Sequence, residues 1–316
     1  MNEQKSKEGK AMYANDVIYQ ELVQICGKEN VLRDEPMKYH TLVKIGGKAD
    51  FLVWPTTYEQ VVDVIRLKEK FQIPFTLLGN GSNVIVRDGG IRGIVMQLKH
   101  LAEIKVEGEK IIAQSGADIK AVSRFALEHS LTGLEFACGI PGSVGGAIMM
   151  NAGAYGGEVK DVLDHVKVVT QKGELKTMYK DDLQLGYRTS IISKTHDVVL
   201  EVVFQLEKGD PQKIKAKMDD LTFQRESKQP LEYPSVGSVF KRPPGYFAGK
   251  LIQDSGLQGK GVGGAEVSTK HAGFIINKNN ATAADYIATI EMVRKTVKEK
   301  FGVELELEVK IIGEDA

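Results

Sequence analysis

GNGSN, residues 79–83, follows the apolar run FTLL (75–78) and leads directly into Val84, Ile85 and Val86. A dinucleotide fingerprint also places glycines after a strand, but it continues with a third glycine and a helix whose N-terminus faces the pyrophosphate. Three successive β-branched residues oppose a helix, and Arg87, Asp88, Gly89 and Gly90 end the run in a second turn. GNGSN is therefore expected to join two strands, and it is not a Rossmann loop.

The flanking chain alternates strands and helices. TLVKIGGKADFLVWP ends as a strand stopped by Pro55, residues 57–71 carry helical spacing in Val61, Val62, Val64, Ile65 and Leu67, and FTLL returns as a strand in a β-α-β arrangement. A helix over residues 15–26 precedes them. The pattern recurs with IIAQSG (111–116) as strand and DIKAVSRFALEHSL (118–131) as helix, Asp118 standing near its start. Gly209, Asp210 and Pro211 open a charged helix running to about Lys228. Beyond it come a loop over 229–245, a short helix near 247–255, the strand AGFIIN (272–277), a helix over about 281–300 and the strand VELELEVKIIG (303–313). The expected organisation is a solvated leader over residues 1–14, an α/β region over 15–208 with its core at about 45–208, and a smaller C-terminal α+β unit over 209–316. The chain as a whole is expected to be α+β.

Composition narrows the partners. The 42 basic and 42 acidic residues of the 316-residue chain cancel, which opposes a nucleic-acid or membrane surface as the main partner and leaves small anionic ligands open. Two cysteines, Cys26 and Cys138, are too few for a disulfide framework, no apolar run reaches membrane-spanning length, and the leader lacks the apolar core of a signal peptide. A cytoplasmic setting is expected. The six histidines are scattered with no pair at ligand spacing, so no metal site is expected.

Glycine is concentrated once more in GIPGSVGGAIMMNAGAYGG (139–157). Glycines let backbone approach a ligand closely, and successive turn N–H groups form concave anion sites. Two such stretches after strands suit a phosphate-rich cofactor, and they equally suit tight turns in a crowded domain. Taken together, LGNGSN (78–83), TGLEFACGIPGSVGGAIMMNAGAYGGE (132–158), LGYRTSI (185–191), YPSVGSVFKRP (233–243), AGKLIQDSGLQG (248–259) and LEVKIIG (307–313) resemble the UDP-N-acetylenolpyruvoylglucosamine reductase family, in its order and over nearly the whole chain after the leader.

That resemblance implies a flavin domain of the vanillyl-alcohol-oxidase (PCMH) type followed by a smaller substrate domain. It implies FAD held without a covalent bond, reduced by NADPH, with a UDP-sugar enolpyruvyl ether as hydride acceptor and its muramate as product. Gly79, Asn80, Gly81, Ser82 and Asn83 would offer main-chain N–H groups to the FAD pyrophosphate, and the stretch containing Gly139, Pro141, Gly142, Ser143, Gly145 and Gly146 would pass close to the flavin and the rest of the diphosphate. GNGSN holds no histidine or cysteine for a covalent flavin link, and Cys138 is expected to be a small buried filler.

Three residues match the family's catalytic positions. Ser238 is expected to give a proton to C2, Arg188 of the Tyr187-Arg188 pair to grip the substrate carboxylate, and Glu308 to act beside Arg188 in stabilising the enolate. Periodicity by itself leaves Glu304, Glu306 and Glu308 on one strand face without choosing among them, and only the likeness of LEVKIIG selects Glu308. Lys241 or Arg242 would support the Ser238 alkoxide, and Arg225 and Lys228 would meet the substrate diphosphate. Residues 189–203 lack the tyrosine that the family's longer branch folds over its substrate, and Arg242 stands where that branch has asparagine, so the likeness is to the shorter branch. A monomer is expected. Two other readings remain at this point: an oxidase on the same fold that reacts with dioxygen, and a nucleotide-binding module without catalysis.

Overall fold

The computed structural model describes residues 15–316, and the expected leader lies outside them. A helix over 15–26 lays Leu22 and Cys26 into an apolar cluster with Phe51, Val53, Ile65 and Ile94. Helix Tyr58–Phe71 forms where its spacing predicts: the Thr57 side chain accepts the Gln60 N–H at its start, the five apolar residues named above are buried, and Gln72 ends it in a left-handed conformation.

Strand Val31–Pro36 pairs antiparallel with Lys48–Val53. The expected β-α-β arrangement is split, because Lys48–Val53 and Phe75–Leu77 are both parallel to Ile91–Met96, which lies between them. GNGSN does join two strands, Phe75–Leu77 and Val84–Val86. A second, antiparallel sheet has the order Leu175–Tyr179, Leu163–Val169, Val198–Gln205, Lys110–Gln114, Ile104–Glu107. Helix Ile119–Glu128 packs into its core, capped by Asp118, whose side chain accepts the Lys120 N–H.

The C-terminal sheet runs Ser235–Ser238, Phe274–Asn277, Ala265–Val267, Gly261–Val262, all antiparallel. Helix Ala283–Phe301 packs against it behind a capping box formed by Thr282 and Asp285. Tyr286 of that helix is fully buried and donates its hydroxyl to the Ile275 carbonyl at 2.5 Å.

Two features tie the ends of the chain together. Helix Pro211–Lys228, capped by Asp210, stands past the expected division at 208/209 but rests on the first region: the Cys138 Sγ lies 3.6 Å from the Met218 carbonyl, and Lys217 lies 3.9 Å from Glu135. Cys138 is half-buried there rather than enclosed as expected. The last strand, Lys310–Ile312, runs parallel to Val84–Val86, and Val43, Ile45 and Ile85 share an apolar cluster with Ile290 and Val293 of helix Ala283–Phe301. The long strand expected over 303–313 is regular only at Lys310–Ile312. Upstream the chain is held to the Val239–Lys241 segment by irregular bonds, Glu308 N–H to Val239 O at 2.9 Å and Lys241 N–H to Glu306 O at 2.9 Å. One consequence is that Glu308 is delivered beside the GNGSN loop.

Candidate active site

Three connected clefts meet around GNGSN. A central cleft of about 510 Å³ is lined by Gly79 to Asn83, by Ile140 to Ser143 and by Arg188, Arg225, Lys228, Ser238, His271 and Glu308. An N-terminal cleft of about 390 Å³ shares Gly79, Asn80, Ser143 and Gly146 with it and adds Tyr39, His40, Gln97, Lys99, Ser115 and Gly145. A C-terminal cleft of about 540 Å³ shares Arg188, Ser238, His271 and Glu308 with the central one and adds Tyr187, Arg242, Phe247, Lys250 and Lys270. Ser238, Arg188 and Glu308, far apart in sequence, therefore form part of the wall between the central and C-terminal clefts.

Among the described residues, no acceptor meets the backbone N–H of Gly79, Asn80, Gly81, Ser82 or Asn83. Five successive unpaired donors on residues that line a cleft suit an anion, and Gly79 and Asn80 are open to it from solvent. Gly81 has φ +62°, and a Cβ there would stand 2.3 Å from the His40 carbonyl oxygen, so this glycine is required by packing as well as by its conformation. Asn83 contributes more than main chain: its Nδ2 donates to the Glu308 carbonyl at 3.1 Å, while its own carbonyl accepts the Lys310 N–H at 3.1 Å.

The second glycine stretch differs from its expected role. The Gly142 N–H donates to Ile140 O, Gly145 N–H to Ser115 O, and Gly146 N–H to the Ser143 hydroxyl that caps helix Val144–Met149. Gly142, Gly145 and Gly146 thus supply room rather than donors. A Cβ on Gly79 would approach Ser143 Oγ to 2.6 Å and one on Gly142 would approach Ser82 Oγ to 3.5 Å, so the two loops face each other across a narrow gap. Gly139 is set against the side chain of Arg225, whose Cδ would lie 2.7 Å from an added Cβ. The guanidinium of Arg225 is held in a desolvated place that lowers its pKa. The carboxamide oxygen of Gln229, one helical turn on and also lining the central cleft, is buried with no donor among the described residues.

Arg188 sits at the tip of a two-residue turn closed by Gly186 N–H to Thr189 O at 3.0 Å and Thr189 N–H to Gly186 O at 3.2 Å. Its φ is +56°, a left-handed conformation uncommon for a long side chain and of the kind that gathers at functional sites. From that tip Nε donates to Glu308 Oε1 at 2.8 Å and Nη2 donates to Gly153 O at 3.3 Å. Of the three carboxylates that periodicity left equivalent, Glu308 alone is withdrawn: its side chain is 16% exposed, against 69% for Glu304, paired with Lys298, and 77% for Glu306, paired with Lys241. Burial raises the Glu308 pKa, and the Arg188 and Lys241 charges oppose that rise only in part. Lys241 itself does not line either cleft around Ser238; its ammonium lies 3.4 Å from Glu306. Arg242 does line the C-terminal cleft, where its guanidinium stacks 3.9 Å from the Phe247 ring centroid and its N–H meets the Tyr187 hydroxyl at 3.3 Å.

His271 was not singled out by its sequence, where it is one scattered histidine. It lines both clefts beside Ser238; its Nδ1 accepts the Gly273 N–H at 3.1 Å, and burial lowers its pKa, which favours a neutral ring with the proton on Nε2. Gln229 was missed as well, because a polar residue after a helix end carries no signal of which cleft it enters. Among the described residues no group of three or more metal-ligating side chains gathers, and no helix is long and apolar enough to cross a membrane.

A UDP-N-acetylenolpyruvoylglucosamine reductase of Geobacillus thermodenitrificans is 86% identical to this chain over 298 residues, covering 94% of it and 98% of that protein. The chain belongs to the UDP-N-acetylenolpyruvoylglucosamine reductase family. The family's C-terminal domain model matches residues 229–312, and a model described as FAD binding domain matches 49–179. The crystal structure of a reductase of this family from Thermus caldophilus superposes with a TM-score of 0.77 at 32% identity, covering 90% of this chain and 99% of that one. The glucose dehydrogenase Phl p 4.0202 shares the fold over 61% of this chain and 44% of its own, with a TM-score of 0.50 and 14% identity. The reductase family's flavin domain and its C-terminal domain thus supply opposite walls of the central cleft, and the donors and cations found there suit FAD.

Proposed function

We propose that this chain reduces the enolpyruvyl ether of UDP-N-acetylglucosamine enolpyruvate to UDP-N-acetylmuramate, a step of peptidoglycan precursor synthesis. The observation that carries the reading is the Arg188–Glu308 pair beside Ser238 on the wall shared by the central and C-terminal clefts. The free N–H groups of Gly79 to Asn83 would hold the FAD diphosphate, and Arg225 and Gln229 would face the cofactor or the substrate from the end of helix Pro211–Lys228. FAD, when bound, supplies the two-electron carrier that takes a hydride from NADPH and passes it to C3 of the enolpyruvyl group.

The protein's own residues handle the charge that this transfer creates. Arg188 offers the planar fork of a guanidinium to the substrate carboxylate. Negative charge growing at C2 is met by Arg188 and, in its protonated form, by Glu308, whose pKa burial raises. Ser238, exposed at the end of strand Ser235–Ser238, gives its proton to C2; this acid is weak, but the carbanionic acceptor is a strong base. Lys228, Arg242 and Tyr187 would contact the UDP-sugar, and Lys241 would act at a distance through its charge on Glu308. We further infer two functional units, residues 15–208 around the flavin and 209–316 over the substrate, with helix Pro211–Lys228 reaching back to the flavin side. A monomeric, cytoplasmic, metal-independent enzyme completes the reading.

Anaerobic addition of NADPH to the purified yellow protein tests it. The flavin absorbance should bleach, and colour should return on adding the enolpyruvyl sugar nucleotide; rapid return in air alone would indicate an oxidase instead.

A further inference from the structure

Gln97 lines the N-terminal cleft, and its carboxamide spans two fixed partners. The indole N–H of Trp54, the chain's single tryptophan, donates to Gln97 Oε1 at 3.0 Å, and Gln97 Nε2 donates to the Gly79 carbonyl oxygen at 3.1 Å. An indole N–H can only donate and a carbonyl can only accept, so one orientation of the amide satisfies both. The root of the side chain is equally fixed: the Gln97 N–H donates to Val53 O at 3.0 Å, and the residue is 7% exposed.

Gly79 opens the anion cradle, and without a Cβ its peptide could rotate at little cost. In a planar trans peptide the C=O of one residue and the N–H of the next point in opposite directions. Holding the Gly79 carbonyl on Gln97 therefore aims the Asn80 N–H the other way, and that N–H has no acceptor among the described residues. Both Gly79 and Asn80 line the N-terminal and central clefts.

We propose that Gln97 is a positioning residue for the cofactor: anchored by Trp54, it fixes the Gly79–Asn80 peptide so that the Asn80 donor of the GNGSN cradle faces the ligand diphosphate. The inference rests on the reading of GNGSN as the FAD diphosphate site. Trp54 is the anchor because it is itself nearly buried, with the rings of His40 and His100 against it at 5.9 and 6.3 Å.

Titrations of apo-protein with FAD and with riboflavin, which lacks phosphate, test the proposal in wild type, Gln97→Leu and Gln97→Glu. Fluorescence of the single tryptophan and the thermal midpoint of the apo-protein report folding in each. Gln97→Leu should weaken FAD by about tenfold, the scale of one lost hydrogen bond and a misdirected donor, and leave riboflavin unchanged. In Gln97→Glu the introduced carboxylate still accepts from Trp54 but cannot donate to Gly79; FAD should bind about tenfold more weakly at pH 8 and regain affinity as acid protonates that carboxyl and restores a donor, while wild type shows no such recovery. Equal FAD affinity in wild type and Gln97→Leu, or equal loss of riboflavin and FAD, would overturn the positioning role. Failure of wild type itself to bind FAD would overturn the reading of the cradle and this inference with it.

Discussion

The Arg188 guanidinium donates to the Glu308 carboxylate across 2.8 Å although 120 residues separate the two. A left-handed turn presents the first, and irregular pairing of residues 306–309 with Val239–Lys241 presents the second. Each side chain thus holds the other in the wall shared by two clefts.

Ser238 is the proposed proton donor and stands exposed at the end of its strand, so Ser238→Ala should leave the fold intact. Bleaching by NADPH should persist, while turnover of the enolpyruvyl substrate falls by roughly 10²–10⁴. Stopped-flow measurement of the two half-reactions checks this; equal loss in both would remove Ser238 from the proton-transfer role.

Arg188→Lys keeps the charge and the strained turn but loses the planar fork. The expected result is a rise in KM for the sugar nucleotide by about tenfold or more, on the scale of about 1.5–3 kcal/mol for a hydrogen bond to a charged group. Steady-state kinetics against substrate, with flavin content held constant, measures it.

Glu308 supplies a pH dependence with a definite sign. Burial raises its pKa, so its protonated form persists to higher pH than that of an exposed glutamate. The ionised form would compete for Arg188 and repel the substrate carboxylate. The substrate half-reaction should therefore slow as pH rises through the Glu308 pKa, and Glu308→Gln should lack that decline. A pH–rate profile unchanged by the substitution would contradict the assignment.

Gly81→Ala and Gly142→Ala should separate a glycine of the fold from a glycine of the ligand gap. At Gly81 the new methyl would meet the His40 carbonyl and adopt φ +62°, costing about 1 kcal/mol or more of stability and lowering the apo-protein's melting temperature. At Gly142 the nearest atom, Ser82 Oγ, lies 3.5 Å from the added carbon, so the melting temperature should hold while FAD affinity falls. Calorimetry and flavin titration distinguish the two.

The elements were largely legible because they are local. Spacing of Val61, Ile65 and their neighbours, Asp118 and Asp210 at helix starts, and β-branched Val84 to Val86 after a turn act over a few residues, and the helices and GNGSN turn appear where these signals put them. The resemblance of six ordered motifs added the flavin domain and the catalytic positions. What sequence left open was pairing at long range: that Ile91–Met96 would insert between the strands of the first β-α-β arrangement, or that the strand over 303–313 would be regular for only three residues.

Sequence by itself determined that GNGSN is a strand-to-strand turn and excluded a Rossmann loop, since φ/ψ preference and side-chain alternation are written in adjacent residues. Only the tertiary structure decided which of Glu304, Glu306 and Glu308 leaves solvent, that GNGSN keeps its N–H groups free while Gly142, Gly145 and Gly146 use theirs, and that His271, Gln229 and Gln97 reach the clefts. The reason is physical: burial, and with it desolvation and hydrogen-bond partnership, depends on what packs opposite, and here the C-terminal strand closes against Val84–Val86 from more than two hundred residues away.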